Sequence, residues 1–344
     1  MVFTEKTRLQ AVFEHAQVDR PPVICPGGMM SAATTAVLSK ATGNVHTDSV
    51  VMAETAAAIR RHTGFENLGV PFCMTVEAEL FGSAVELGDD GVEPRVLVYG
   101  ASALKEIVDQ PLPDPERDGR SPVVLSAIKL LSGQHGDVPV IGNVTGPLSL
   151  ATSIIDPLYF FRLMRKRPDE VLAVLSYLTD YLVRFACRQL AAGADMIAIA
   201  DPTATGEILG GANFRRFILP NLQRLTQEIN AAGGRTIVHI CGNATVLLND
   251  LKELGGAVLS FDSLVDLRKA RNILGDLPVM GNVNTQLLHT GERRRIRQTA
   301  DDLLAWGADV VAPACGISLA TPRANLRALT DTVKGFAGFD GTLK

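Results

Sequence analysis

The chain has 344 residues, 47% of them hydrophobic and 20% charged, with a formal net charge of −4. Such a composition supplies a large buried core and argues against disorder, and the length fits one large barrel or two average domains. No basic run alternates with aromatics, so nucleic acid is not an expected partner; no stretch approaches about eighteen uninterrupted apolar residues, so no membrane span is expected. The N-terminus is charged and lacks the apolar centre of a signal peptide. Five cysteines in such a chain do not make a disulfide framework. Cys25, Cys73 and Cys187 sit in apolar surroundings and read as buried structural thiols. The cytoplasm follows as the expected compartment.

Eight short apolar runs follow one another along the chain: Val23–Cys25, Leu68–Phe72, Val138–Ile141, Met196–Ala200, Thr236–Ile240, Ala257–Phe261, Pro278–Met280 and Val310–Ala314. Continuous rather than alternating hydrophobicity predicts parallel strands covered on both faces. Helical periods lie between them. Leu175, Leu178, Leu182 and Phe185 recur at helical spacing within 168–192. Thr321-Pro322 predicts a capped start for the helix carrying Leu326, Leu329 and Val333, and Pro220 predicts a kink or break in the pattern that begins near Asn213. Ala192-Gly193-Ala194-Asp195, Leu254-Gly255-Gly256-Ala257 and Trp306-Gly307-Ala308-Asp309 repeat one helix-to-strand joint. Eight such units predict an α/β fold, a (β/α)8 TIM barrel forming a single domain over residues 1–344. An N-terminal extension and a β-hairpin inserted near residues 77–100, with its turn at Asp89-Asp90-Gly91, decorate it. The run Arg293-Arg294-Arg295 reads as the solvated start of a helix.

In such a barrel the strand C-termini carry the active site, which singles out Asn143, Asp201, His239, Cys241, Asp262, Asn282 and Cys315. His239 and Cys241, two apart at the end of an apolar run, point to one side of a strand. Cys315, ending the eighth run, completes a His/Cys/Cys set if the barrel closes. Each residue alone reads as core; together, one nitrogen and two thiolates select zinc over magnesium or calcium. The spacing is not that of a zinc finger. Three protein ligands leave one position open, and zinc with an open position binds and deprotonates thiols, so thiol activation is the expected chemistry. Asp262 is either a weak fourth ligand, a partner that holds the imidazole, or a helix cap or loop salt bridge. Asp201, ahead of Pro202, either orients substrate, accepts a proton, or forms a turn. Asn143 and Asn282 are expected to contact the cofactor at the mouth. Glu77 and Glu79 alternate on a stretch read as extended and share a face, at the mouth or on a solvated edge; Glu207 has a similar claim. Gly27-Gly28 and Gly210-Gly211 read as tight turns, because neither belongs to a nucleotide-binding motif.

These residues carry a resemblance. The motifs are the segment Gly69 to Glu79, Asn143-Val144-Thr145-Gly146-Pro147, Asp201-Pro202-Thr203-Ala204, His239-Ile240-Cys241-Gly242-Asn243, Gly281-Asn282-Val283-Asn284-Thr285 and Pro313-Ala314-Cys315-Gly316. In them the chain resembles the uroporphyrinogen decarboxylase superfamily, and within it the methylcobamide:coenzyme M methyltransferase branch. The resemblance implies the barrel, and His239, Cys241 and Cys315 as zinc ligands. It implies a methylcobamide on a partner corrinoid protein as methyl donor, and coenzyme M or another small thiol as acceptor. Tetrahydrofolate, whose acceptor atom is a nitrogen, is the alternative acceptor. Cobalamin-independent methionine synthases are similar at the same point, with His-x-Cys, an acidic residue one strand on and a late Cys, which supports Asp262 as a resting ligand. The decarboxylase branch, which starts with an Arg-rich segment, fits less well: Pro21 to Met30 contains no arginine. A non-enzymatic barrel holding zinc or corrinoid is the third reading. Oligomeric state and the upstream methyl donor are left open.

Overall fold

The apolar runs become strands buried on both faces, as their composition demands. The computed structural model describes residues 2–26, 44–88 and 92–336. In chain order the strands are β1 (Leu68–Val70), β2 (Ala84–Glu86), β3 (Arg95–Val98), β4 (Val140–Thr145), β5 (Met196–Ala200), β6 (Thr236–Ile240), β7 (Ala257–Phe261), β8 (Val279–Val283) and β9 (Val310–Pro313). All but β2 and β3 form one parallel sheet in the order β1-β4-β5-β6-β7-β8-β9. The sheet curls in the manner of a TIM barrel, so that one face becomes an interior. Ile141, Met196, Ala198, Ile237, Val258, Met280, Val310 and Ala312 meet there in one cluster, joined by Ile24 and by Leu9 and Val12 of the N-terminal helix Glu5–Phe13. The alternate residues, among them Ile197, Ile199, Val238, Ile240, Leu259 and Phe261, face the surrounding helices. This two-residue period is what assigns each strand side chain to the interior or to the helix layer.

The first predicted strand is reduced to a bridge. Val23 pairs in parallel with Val311; Ile24 N–H donates to Val311 O at 3.0 Å and Glu66 N–H donates to Val23 O at 2.8 Å. Asn67 holds the same segment through Cys25 N–H and Cys25 O, both at 2.8 Å. Residues 22–25 therefore bond to β9 on one side and to the approach of β1 on the other.

Several boundaries differ from the sequence reading. Gly142 and Gly281 were expected to end their strands, yet parallel pairing runs through both, Gly142 opposite Ile197 and Gly281 opposite Val311. Asn143 and Asn282 thus lie inside β4 and β8. Glu77 and Glu79 are on a short helix, Val76–Leu80, and not on an extended stretch. The helix near the C-terminus starts at Arg323 with Pro322 as its cap residue, while the Thr321 hydroxyl is buried without a partner instead of capping. At Pro220 the break takes the form of a π-helical turn, Phe214–Ile218, running into the helix Leu219–Ala231. Cys187 is half-buried, whereas Cys25 and Cys73 are buried. Gly210-Gly211, read as a tight turn, lies at a kink inside the helix Gly206–Asn213, while three other readings hold. The helix Pro168–Ala191 forms, and Gly193 and Gly307 end their helices at φ 110° and 78°. β2 and β3 pair antiparallel. Gly27-Gly28 and the turn Asp89-Asp90-Gly91 lie outside the described residues. Among the described residues no helix is long and apolar enough to cross a membrane.

Candidate metal centre

Strand parity builds the centre. On β6, Ile237 and His239 share the interior face, and Cys241 follows two residues later just past the strand end. Gly242, at φ 68°, then turns the chain away; a Cβ there would lie 2.6 Å from Glu207 Oε2. Glu207 braces this turn by accepting from Asn243 N–H at 3.2 Å. The parallel register sets His239 opposite Ser260 of β7, and the His239 Nδ1 to Ser260 Oγ distance is 3.0 Å. The other ring nitrogen, Nε2, lies 3.0 Å from Cys241 Sγ, which lies 3.1 Å from Cys315 Sγ. Cys315 arrives just beyond β9. The three donor atoms fall within 4.8 Å of one another, and all three residues are half-buried.

The two sulfurs are too far apart for a disulfide, whose S–S bond is ~2.05 Å, and both thiols are free. The hydrogen bond from the Cys241 thiol, with a further contribution from His239, pulls Cys315 far below the ordinary thiol range. The same bond, then burial, pushes Cys241 up. The pair therefore behaves as one unit holding a single proton. An imidazole nitrogen and two sulfurs converge on a common point: this donor set fits a soft divalent ion, and zinc above others.

The cluster opens into a chamber of about 360 Å³. Ala198, Ile237 and Met280 floor it; Pro26, Phe72, Met74, Val144 and Pro313 are among its apolar walls, and Cys73, Glu77, Asn143 and Thr145 supply polar groups on the β1–β4 side. Glu93 and Pro94, which lead into β3, reach the rim. Burial, and then the charge of Cys315, raise the Glu93 carboxyl.

The other expected site residues go to different places. Asn143 lines the chamber, with Nδ2 donating to Val70 O at 3.0 Å and Pro26 O at 3.2 Å. Asn282 is buried and donates to Asp262 O at 2.8 Å and Val265 O at 2.9 Å, so it ties down the loop after β7. Asp262 is not part of the three-donor cluster. Its Oδ1 accepts from Leu264 N–H at 3.0 Å and Ser263 Oγ at 3.3 Å, although its charge contributes to the rise of Cys241. Asp201 is fully buried and faces the start of the helix Pro147–Ile154, accepting from Leu148 N–H, Ser149 N–H and Ser149 Oγ at 3.1, 2.8 and 2.6 Å. Burial outweighs those three donors and raises its carboxyl to about 6.

Ser260 escaped the sequence reading, and Glu77 was placed on the wrong kind of element. Ser260, the partner of the imidazole, was legible only through the register of β7 against β6. Glu77 is buried, accepts from Thr145 N–H at 2.8 Å and Thr145 Oγ1 at 3.2 Å, and is raised mainly by burial. Its helix was not foreseen, so its direction was not either.

A uroporphyrinogen decarboxylase (URO-D) family profile matches residues 4–336, and the chain belongs to that family. Within it, the chain is similar to methyl-transfer enzymes. The methylcobamide:CoM methyltransferase MtbA of Methanosarcina acetivorans is 31% identical over 97% of this chain and 98% of its own. MtaA of Methanosarcina barkeri, of the same name, is 32% identical over 95% and 96%. A solved methyltransferase structure from Methanosarcina mazei superimposes with a TM-score of 0.90, at 31% identity, covering 97% of this chain and 99% of that one.

Proposed function

We propose that this chain is a zinc-dependent corrinoid methyltransferase that moves a methyl group from a methylated corrinoid protein to a thiol such as coenzyme M. The observation that carries the reading is the convergence of His239 Nε2, Cys241 Sγ and Cys315 Sγ at the wall of a largely apolar chamber. Relatives of matching length named for the same reaction support it.

A zinc ion held by these three atoms would supply an open position at which the acceptor thiol loses its proton. The rest falls to the protein. With Nδ1–H given to Ser260 Oγ, the imidazole would turn its Nε2 lone pair to a metal held between the three donors, and the Ser260 contact fixes the ring's orientation. The apolar walls keep water from the acceptor thiolate, which preserves its nucleophilicity. Its sulfur attacks the methyl carbon of the methylcobamide; the carbon–cobalt bond breaks and both electrons leave on Co(I). Asn143, on the chamber wall, is assigned to contact with the reactants, and Asp262 to the loop whose charge bears on Cys241. Asn282 and Asp201 hold that loop and the neighbouring helix start in place. We further read residues 22–25 as the eighth stave of a closed barrel, the hairpin β2–β3 as a decoration of its mouth, and the whole as one domain. The cytoplasm, where free thiols persist, suits the chemistry.

The test supplies zinc, free methylcobalamin and 2-mercaptoethanesulfonate to the purified chain and follows cob(I)alamin and the methyl thioether. Transfer is expected, and Cys241→Ser or zinc removal should lower it by roughly 100-fold or more. Undiminished transfer without zinc would contradict the reading.

A further inference from the structure

Methyl transfer to a thiol leaves one proton to be placed, and the chamber offers few groups to take it. Its walls are largely apolar, and among the described residues that line it only Glu77 and Glu93 are carboxylates. Glu77, on the helix Val76–Leu80, is the more deeply set, at 1% exposure.

Strand register places Glu77 against the metal centre. Thr145 of β4 pairs with Ala200 of β5, and Ala200 pairs with His239 of β6. All three keep the interior parity of Ile141, Ala198 and Ile237, and all three line the chamber. With strands about 4.8 Å apart, Thr145 and His239 stand about 10 Å apart, and the methyl group of Ala200 leaves the space between them open. Glu77 is bound to Thr145 at this level, through the N–H on Oε1 at 2.8 Å and the hydroxyl on Oε2 at 3.2 Å. Each carboxylate oxygen offers two lone pairs, so both keep a site for a further proton.

The surroundings tune this carboxylate. Burial, the largest influence, raises it; the Thr145 donors, and then the charge of Arg120 at the start of the helix Ser121–Gln134, pull the other way. Tyr181, from the helix Pro168–Ala191, is raised by its own burial and stays neutral, and Glu79 on the same short helix is taken by Arg120. Across the chamber stand Cys73, Glu93 and the His239–Cys241–Cys315 cluster. Glu77 therefore holds a proton more tightly than an ordinary carboxylate, as a base working near neutral pH must.

We propose that Glu77 is the general base of the reaction, taking the acceptor thiol's proton as the sulfur settles beside His239, Cys241 and Cys315. This rests on the methyl-to-thiol reading and names where its proton goes. The S–H bond breaks and an O–H bond forms on Glu77, over one intervening water. The electron pair stays on sulfur, which attacks the methyl carbon, and the carbon–cobalt pair leaves on Co(I). Glu77 returns the proton to solvent when the thioether leaves.

The test uses the zinc-loaded full chain and 2-mercaptoethanesulfonate, first without a methyl donor. Calorimetry in buffers of different ionisation heat, near pH ~7 and below the ordinary thiol range of ~8.5, counts the protons released on thiol binding. Glu77→Gln should release about one proton and wild type far less, because Glu77 keeps it. With free methylcobalamin added, Glu77→Gln should lower kcat by roughly 100-fold while KM and zinc content hold, and Glu77→Asp should recover part of the loss. Wild-type kcat should rise with pH as Glu77 ionises, and Glu77→Gln should lack that limb. Thr145→Val removes the hydroxyl donor and keeps the N–H bond, so it should move the limb to higher pH. Equal proton release by wild type and Glu77→Gln, or an unchanged limb in folded Glu77→Gln or Thr145→Val, overturns the base. A proton kept by wild type with no methyl transferred supports the base and overturns the methyltransferase reading; no thiol binding at all overturns both.

Discussion

Cys241 and Cys315 hold one proton between them, and that proton governs how the centre meets a metal. Zinc takes both sulfurs as thiolates. The hydrogen bond between them lowers Cys315 and raises Cys241, so the last proton of the pair is held more tightly than the first. Binding must expel that proton, so apparent zinc affinity should rise with pH, about tenfold per unit for the one proton released. Chelator competition over roughly pH 6 to 9 measures it; a flat profile would show that the pair does not share a proton as described. Ser260 acts on the same centre through the imidazole. Ser260→Ala should leave the fold intact and weaken zinc affinity by roughly 10- to 100-fold, read in the same competition. An unchanged affinity would remove Ser260 from the centre. His239 and Cys241 were legible in the sequence because parity along one strand needs no tertiary knowledge, whereas Cys315 joined them only through the expected curl of the sheet. Ser260 was not, because it acts across a register that spacing does not encode.

At the level of elements, continuous apolar runs identified seven of the parallel strands, since a strand covered on both faces carries no polar alternation. They failed where glycine sat mid-strand: Gly142 and Gly281 look like terminators, but both stay paired in the ladder. The run Val23–Cys25 failed in the opposite sense, keeping edge bonds to Val311 and Glu66 without regular strand geometry. Asp201 serves the need of an element. At the end of β5 it satisfies the first N–H groups of the helix Pro147–Ile154, donors that have no partner within the helix itself. Asp201→Ala should therefore cost about 1–3 kcal/mol of stability with zinc content unchanged, as thermal unfolding and metal analysis would report. Lost zinc at unchanged stability would return Asp201 to the reaction. The raised carboxyl adds a sign. Its contribution to stability is full below the ordinary value of 3.8 and is lost as pH rises through about 6. Relative to Asp201→Asn, wild type should lose stability over that window.

At the scale of the whole molecule, the claim is that a curled sheet makes one site from distant chain segments. Cys241 and Cys315 are 74 residues apart in sequence and 3.1 Å apart in space, which requires β6 and β9 to converge across β7 and β8. The N-terminal helix contributes Leu9 and Val12 to the interior cluster, while the chamber lies at the strand ends that carry His239, Cys241 and Cys315. The curled parallel sheet followed from counting βα units. The chamber's contents did not, because loops between strands set them. The most direct measurement is X-ray absorption at the zinc edge on the zinc-loaded protein, before and after 2-mercaptoethanesulfonate. The account predicts one zinc per chain with two sulfur neighbours and one imidazole, rising to three sulfurs with thiol. No stoichiometric zinc, or a shell unchanged by thiol, would contradict it.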